Sequence, residues 1–275
     1  MSILNSVLVL GALGLIFGAI LAYASKKFAV DVDERVESIL DVLPGADCGG
    51  CGFPGCGGLA NAIVEGKAAV NACPVGGEIC ATKIGDIMGV SSESEEKQVA
   101  KVLCKGNCTS AKDQYKYERI QDCRSASMLN SGPKDCRFGC LGFGTCKEYC
   151  KFDAISVIDG LAIIDEEKCV MCGKCIEVCP KSIIHIKPAN KEVVVECSSE
   201  DFGKAVREKC SVGCIGCGLC KKACLFGAIE FENKIAKINY VKCVECMECV
   251  RKCPTKVIKE DNSKNKKVKI DQDIC

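Results

Sequence analysis

The hydrophobic positions change their rhythm along the chain. From Ile3 to Ala24 the sequence ILNSVLVLGALGLIFGAILAYA runs without a single charge. Coiled as a helix, such a run spans the roughly 30 Å hydrocarbon core of a bilayer, so it predicts a transmembrane anchor over residues 1–25. Gly14 and Gly18 form a GxxxG pair suited to packing against another helix in lipid. Between 31 and 43, Val36, Ile39, Leu40 and Leu43 recur at helical spacing and predict a short amphipathic helix. Further helices are expected over 57–66 and 78–88. Beyond the polar run Ser91–Glu96 the pattern shortens, and 155–165 and 229–239 read as hairpins, the first turning at Asp159-Gly160.

The flanks of the apolar run decide its orientation. A secretory signal carries basic residues before a shorter apolar stretch, then a cleavage site. Here no Lys or Arg precedes the run and Lys26-Lys27 follow it at once. That predicts a single-pass protein of the cell membrane with everything after residue 25 on the cytoplasmic side. The 37 basic and 36 acidic residues leave a net charge of +1, which excludes a nucleic-acid binder acting through bulk charge.

The candidate chemistry lies in 27 cysteines, accompanied by one His and no Trp. Most stand two to five residues apart. Such neighbours suit a shared metal centre and cannot staple distant segments as disulfides do. Zinc sites mix in His or pair two short CxxC knuckles, so iron–sulfur clusters are the better reading. The first group is Cys48-x2-Cys51-x4-Cys56-x16-Cys73, three cysteines in a Gly-rich loop and a fourth after a helix. Gly50, Gly52 and Gly55 also satisfy GxGxxG, but no strand precedes them and cysteines fill the gaps, so a dinucleotide loop is rejected.

The remainder repeats itself at an offset of 74 residues. The offset carries Cys123, Cys136, Cys140, Cys146, Cys150, Cys169, Cys172, Cys175 and Cys179 onto Cys197, Cys210, Cys214, Cys220, Cys224, Cys243, Cys246, Cys249 and Cys253. In the bacterial C-x2-C-x2-C-x3-C-P run the fourth cysteine serves the neighbouring cluster. Cys214, Cys217 and Cys220 should therefore join Cys253, while Cys243, Cys246 and Cys249 join Cys224. Cys169, Cys172 and Cys175 should join Cys150. Phe143 stands where Cys217 is expected, leaving Cys140, Cys146 and Cys179, and Cys136 is the expected substitute. A three-iron cluster or a shifted ligand set are the alternatives. Five 4Fe–4S clusters then leave Cys80, Cys104, Cys108, Cys123, Cys197, Cys210 and Cys275. Cys104, Cys108 and Cys123, with Cys210 or Cys197, are candidates for a sixth cluster. Cys80 reads as a packed thiol, Cys275 as a free one, and His185 as a surface residue.

The anchor, the four-cysteine module and the ferredoxin-type runs together resemble the B subunit of Rnf-type complexes, membrane-bound ferredoxin:NAD oxidoreductases that pump ions. The resemblance spans the chain, although the duplicated ferredoxin region is longer than in the simplest members. It implies a 4Fe–4S cluster on Cys48, Cys51, Cys56 and Cys73. It also implies electron acceptance from reduced ferredoxin, partner membrane subunits, and NAD reduction coupled to Na⁺ or H⁺ movement. No flavin motif or acid–base pair accompanies the cysteines, so no catalytic residue is expected: the chain is a wire. A polyferredoxin subunit of a membrane hydrogenase or carbon-monoxide dehydrogenase system is the alternative, and a zinc-bearing interaction protein a more distant one.

The expected fold is a small, cofactor-dominated α+β chain: one transmembrane helix, a small helical 4Fe–4S module and two tandem bacterial 2×4Fe–4S ferredoxin-like domains. The divisions are an anchor over 1–25, the four-cysteine module over 26–90 and a linker with an extra cluster segment over 91–122. Ferredoxin-like domains over 123–190 and 191–259 follow, then a charged tail over 260–275. Charge differs among them. Residues 26–90 hold 5 basic and 9 acidic residues, 123–185 hold 8 and 8, and 197–259 hold 12 and 7. The surplus lysines of the last segment either balance the negative charge of its own clusters or form a docking face for an acidic electron carrier.

Overall fold

The computed structural model describes residues 2–27, 33–91 and 96–260. Cys275 and the tail after Glu260 lie outside these residues, as do positions 92–95 of the polar run. The chain mixes short helices with two-stranded antiparallel sheets.

Helix α1 (Ser2–Lys27) follows from the uncharged run and ends on its two lysines. It is long and apolar enough to cross a membrane, and none of its apolar span is buried against the rest of the chain. A soluble helix with Leu10, Leu15 and Leu21 so exposed would be unstable in water, whereas lipid accepts them.

Three helices form the next unit: α2 (Glu34–Val42), α3 (Gly55–Val64) and α4 (Gly77–Met88). Asp33 caps α2 by accepting the N–H of Arg35 at 2.9 Å, satisfying a donor that the first turn leaves free. Of the four apolar residues at helical spacing, Val36, Ile39 and Leu43 join Leu59, Ile63 and Ile84 in one small core, while Leu40 is exposed.

The rest of the chain contains two similar arrangements. The first holds β1 (Gln98–Val102), α5 (Cys123–Ser127), α6 (Thr145–Glu148), β2 (Ile155–Ile158), β3 (Leu161–Ile164), α7 (Lys174–Val178) and β4 (Ile184–Pro188). The second holds β5 (Val193–Val195), α8 (Lys204–Lys209), α9 (Leu219–Ala223), β6 (Ile229–Glu232), β7 (Ile235–Ile238), α10 (Glu248–Lys252) and β8 (Ile258–Glu260). Both expected hairpins form. Asp159-Gly160 and Asn233-Lys234 turn them, all four at positive φ. The Gly142 backbone lies so close to the first turn that a Cβ there would fall on the Gly160 carbonyl.

Part of the segment read as a linker is structural. β1 pairs with β4, placing Val102 opposite Ile184, and β5 pairs with β8, placing Val195 opposite Ile258. Ile184 and Ile258 stand one repeat apart, but Val102 lies further from Val195 than that offset. The first arrangement therefore begins at β1, and an insertion separates its opening strand from the repeated cysteines. Val99, Val102, Ile155, Ile164 and Ile183 make its core, and Val193, Val195, Ile229, Ile235 and Ile258 make the second. Val99 and Val102 are buried, so the strand that follows the polar run packs into the core instead of standing in solvent.

Candidate metal centres

Five cavities are each ringed by four cysteines, and the core of each arrangement is built around them. Cys150, Cys169, Cys172 and Cys175 line one; Cys214, Cys217, Cys220 and Cys253 another; Cys224, Cys243, Cys246 and Cys249 a third. These are the sets that the ferredoxin spacing brings together, including the exchange of each fourth cysteine.

The other two cavities regroup the remaining thiols. Cys140, Cys146 and Cys179 are joined by Cys123 rather than Cys136. The physical reason is local. Asp122 caps α5 and accepts the hydroxyl of buried Thr145 at 3.0 Å. Thr145 in turn accepts the Cys123 N–H at 2.7 Å, which holds that cysteine at the cavity. Phe143, which replaces a cysteine here, packs at 5.3 Å on the ring of Tyr117 from the insertion. The insertion supplies the aromatic partner and leads directly into the new thiol.

Cys136 lies elsewhere, with Cys104, Cys197 and Cys210 around the fifth of these cavities. The thiols expected for a sixth cluster are thus divided between sites. Cys104 and Cys210 are present, Cys123 is engaged at the neighbouring cavity, and Cys108 is not part of the lining. The match of Cys123 to Cys197 under the offset is a coincidence of spacing. The spatial counterpart of Cys197 is Cys104, each two residues beyond its strand. That signal was legible as Val102-Leu-Cys104 and Val195-Glu-Cys197.

In the helical unit, burial raises the pKa of Cys73, and Cys56 and Cys51 lie near enough for their charges to raise it further. Gly76 donates its N–H to the Cys73 Sγ at 3.3 Å, and Asp47 fixes the loop by accepting the Cys56 N–H at 2.6 Å. Cys80 is buried beside Cys73, its thiol pushed up to about 11 chiefly by that burial. Cys172 is raised by burial first and then by the facing Cys48. A Cβ on Gly50 would sit 2.9 Å from the Cys172 Cα, so the first cysteine loop and the first ferredoxin-type arrangement meet backbone to backbone. His185 lies exposed on β4.

The donor set fits clusters better than single ions. Zinc draws four ligands to about 2.3 Å, which requires them to converge on a point. Among the described residues no three His, Cys, Asp or Glu side chains do so; the thiols stand around cavities instead. Burial pushes the thiols of Cys140, Cys220 and Cys249 up to about 11 and those of Cys175 and Cys197 up to about 12. Left alone they stay protonated; a bound iron centre makes them thiolates. Backbone N–H groups wait for that charge. Ala154 donates to the Cys150 Sγ at 3.4 Å, and its repeat partner Ala228 donates to Cys224 at 3.3 Å. Lys134, 4% exposed, adds an ammonium at the shared cavity, held by the carbonyls of Gly106 at 2.8 Å and Gly160 at 3.0 Å.

Family models agree with this chemistry. Residues 43–75 match "Putative Fe-S cluster", 162–185 match "4Fe-4S binding domain", and 213–257 match "4Fe-4S dicluster domain". Fold and site together define an iron–sulfur protein. The chain is 52% identical to the B subunit of the Na(+)-translocating ferredoxin:NAD(+) oxidoreductase complex of Acetobacterium woodii, over 94% of this chain and 79% of that one. It is 44% identical to the proton-translocating counterpart of Clostridium ljungdahlii, over 94% and 92%. With the B subunit of the ion-translocating oxidoreductase complex of Methanosarcina acetivorans it shares 42%, over 93% and 97%. The chain belongs to this family of B subunits of ion-translocating oxidoreductase complexes.

Proposed function

We propose that this chain is the iron–sulfur electron-transfer component of a membrane-bound complex that moves electrons from reduced ferredoxin toward NAD, coupled to translocation of Na⁺ or H⁺. Its kinship with proteins so named supports the assignment. The relatives' names carry different ions, so membership of the family does not set which ion moves.

The finer reading is six 4Fe–4S clusters. Their ligands are Cys48, Cys51, Cys56 and Cys73; Cys123, Cys140, Cys146 and Cys179; Cys150, Cys169, Cys172 and Cys175; Cys104, Cys136, Cys197 and Cys210; Cys214, Cys217, Cys220 and Cys253; and Cys224, Cys243, Cys246 and Cys249. What supports it is the sorting of these thiols into sets of four, five of them around cavities of their own. The protein's part is to exclude water, offer N–H groups to the sulfurs and fix the spacing of the centres. Two tandem ferredoxin-like units, from β1 to β4 and from β5 to β8, share the Cys104 site. The cysteine-rich part lies on the cytoplasmic face, the side that Lys26 and Lys27 favour.

The single observation that supports electron passage between the membrane-proximal cysteine loop and the ferredoxin-like units is the contact of Gly50 with Cys172. With reduced ferredoxin as donor to those units, the loop becomes the exit toward partner membrane subunits. Anaerobic purification with iron and sulfide analysis tests the cluster count: about 24 irons per chain support six cubanes. A value near 8, or stoichiometric zinc, rejects them.

A further inference from the structure

In the first ferredoxin-like unit, Cys172 is covered within the chain. The Gly50 backbone lies against it, and Lys151 donates its ammonium to the Ala46 carbonyl at 3.4 Å. Val170 and Phe152, beside it, are half-buried. The repeat offset carries Cys172 to Cys246, Lys151 to Leu225, Glu167 to Val241, Val170 to Val244 and Phe152 to Phe226. On the second unit this face is open among the described residues. Cys246 is exposed, Leu225 is 88% exposed, Val241 97%, Val244 56% and Phe226 51%. Where one copy of the fold receives a redox module of its own chain, the other presents a bare apolar surface around the corresponding thiol. Phe226 and Val244 line the cavity of Cys224, Cys243, Cys246 and Cys249, so this surface reaches the proposed cluster itself.

The charges around the face have also changed. Exposed Glu148 and half-buried Val178 become exposed Lys222 and Lys252. Lys222 lies on α9, which ends just before Cys224, and Lys252 on α10, which begins two residues after Cys246. Charges also move the other way: Lys151 is lost to Leu225, Glu248 replaces Lys174 but is paired by Arg251, and Glu245 replaces Met171 beside Cys246, where it is engaged by the backbone N–H groups of Glu192 and Val193. Across the segments, 8 basic and 8 acidic residues become 12 and 7. An apolar centre with a basic rim fits an acidic partner, which long-range attraction steers and apolar contact then seats.

We propose that this face is the docking surface for the soluble electron donor, a small iron–sulfur carrier with acidic groups around an apolar patch. The assignment rests on the preceding reading that the chain accepts electrons from such a carrier. One electron passes at the contact: the carrier is oxidised, the centre held by Cys224, Cys243, Cys246 and Cys249 is reduced, and no bond forms or breaks.

Stopped-flow bleaching of the full-length, cluster-loaded chain in detergent, mixed with a reduced 2×4Fe–4S ferredoxin, provides the test. The double variant Leu225→Lys, Val241→Glu copies the residues of the first unit and so suits the fold. Its second-order rate with ferredoxin should drop about tenfold or more, while its rate with reduced methyl viologen and its iron content hold. A second double variant, Lys222→Glu with Lys252→Glu, should lower the ferredoxin rate and flatten its dependence on salt. If the first variant also slows with methyl viologen, its cluster is damaged and the exposed lysine pair decides. Wild-type rates with ferredoxin in the deciding variant overturn the surface. A wild-type chain that ferredoxin fails to reduce at all overturns the donor reading instead.

Discussion

The backbone N–H of Cys140 donates to the Sγ of Cys104 at 3.4 Å. Cys214, its repeat counterpart, makes the same bond to Cys197 at 3.3 Å. The two bonds give the Cys104 cavity an approximate internal symmetry, with one strand-end thiol and one loop thiol from each unit. Cys123 and Cys136, which spacing alone confuses, line different cavities, Cys136 this one and Cys123 that of Cys140, Cys146 and Cys179.

Single replacements should therefore remove different centres. Cys123→Ser should damage the centre of Cys140, Cys146 and Cys179, and Cys136→Ser the one shared by the two units. Each loss amounts to about four irons or a conversion to a three-iron form. Low-temperature EPR of the two reduced variants should show different signals missing. Loss of the same signal in both would reverse the regrouping.

Lys134 supplies the next test. No described carboxylate pairs with its buried ammonium. Burial raises the thiol pKa of Cys104, Cys140 and Cys210, and the Lys134 charge works against that rise at all three. Removing a cation favours the oxidised centre. Lys134→Gln should shift the midpoint of the shared centre downward by on the order of 100 mV, a Coulombic estimate for a partly screened charge several ångströms away. Lys134→Arg should restore it. Potentiometric titration followed by EPR measures both, and an unchanged midpoint in the Gln variant rules out the charge effect.

Much of the fold was legible because metal chemistry fixes cysteine spacing more tightly than packing fixes hydrophobic spacing. The run from Cys243 to Cys253 states its own partners, and Asp159-Gly160 states its turn. Cys104 was harder to place. It sits two residues past a strand whose mate, β4, comes only after the unit's whole cysteine run, and no local spacing encodes that pairing. Cys123 was misleading for a different reason. Its position depends on a hydroxyl, Thr145, that reads in sequence as an ordinary loop residue.

The raised thiols set a dependence on pH. Burial is the largest cause for Cys197, at about 12, and also raises Cys104, Cys136 and Cys210. Each ligation expels a proton from a thiol that is neutral below its raised pKa, so loading becomes more favourable as pH rises toward those values. Reconstitution of cluster-free chain with iron and sulfide should go further at pH 8.5 than at pH 7, with net proton release. Equal yields and no released acid would contradict the protonated starting state.

Gly50 controls the joint between units. In Gly50→Ala the new Cβ meets the Cys172 backbone, which cannot yield as a side-chain tip could. The variant should keep its iron yet pass electrons more slowly from the ferredoxin-like units to the Cys48 centre. Freeze-quench EPR after mixing with a reductant resolves the two populations. Unaltered kinetics would show that this contact does not set the transfer distance.

Removal of residues 1–27 should give a soluble brown protein with its full iron content, since no cysteine lies in α1. Ultracentrifugation and iron analysis check it. A truncated chain that still sediments with membranes free of its partners would require a second attachment.

The division of Cys104, Cys136, Cys197 and Cys210 between the two units has a consequence for biogenesis. A nascent chain that has emerged as far as Cys179 already carries every thiol of the first unit's own two centres. Cys104 and Cys136 must still wait for the ribosome to deliver Cys197 and Cys210. On the proposed six-cluster reading, maturation is ordered along the chain: a product that stops before Cys197 holds Cys104 and Cys136 without the two thiols that complete their set.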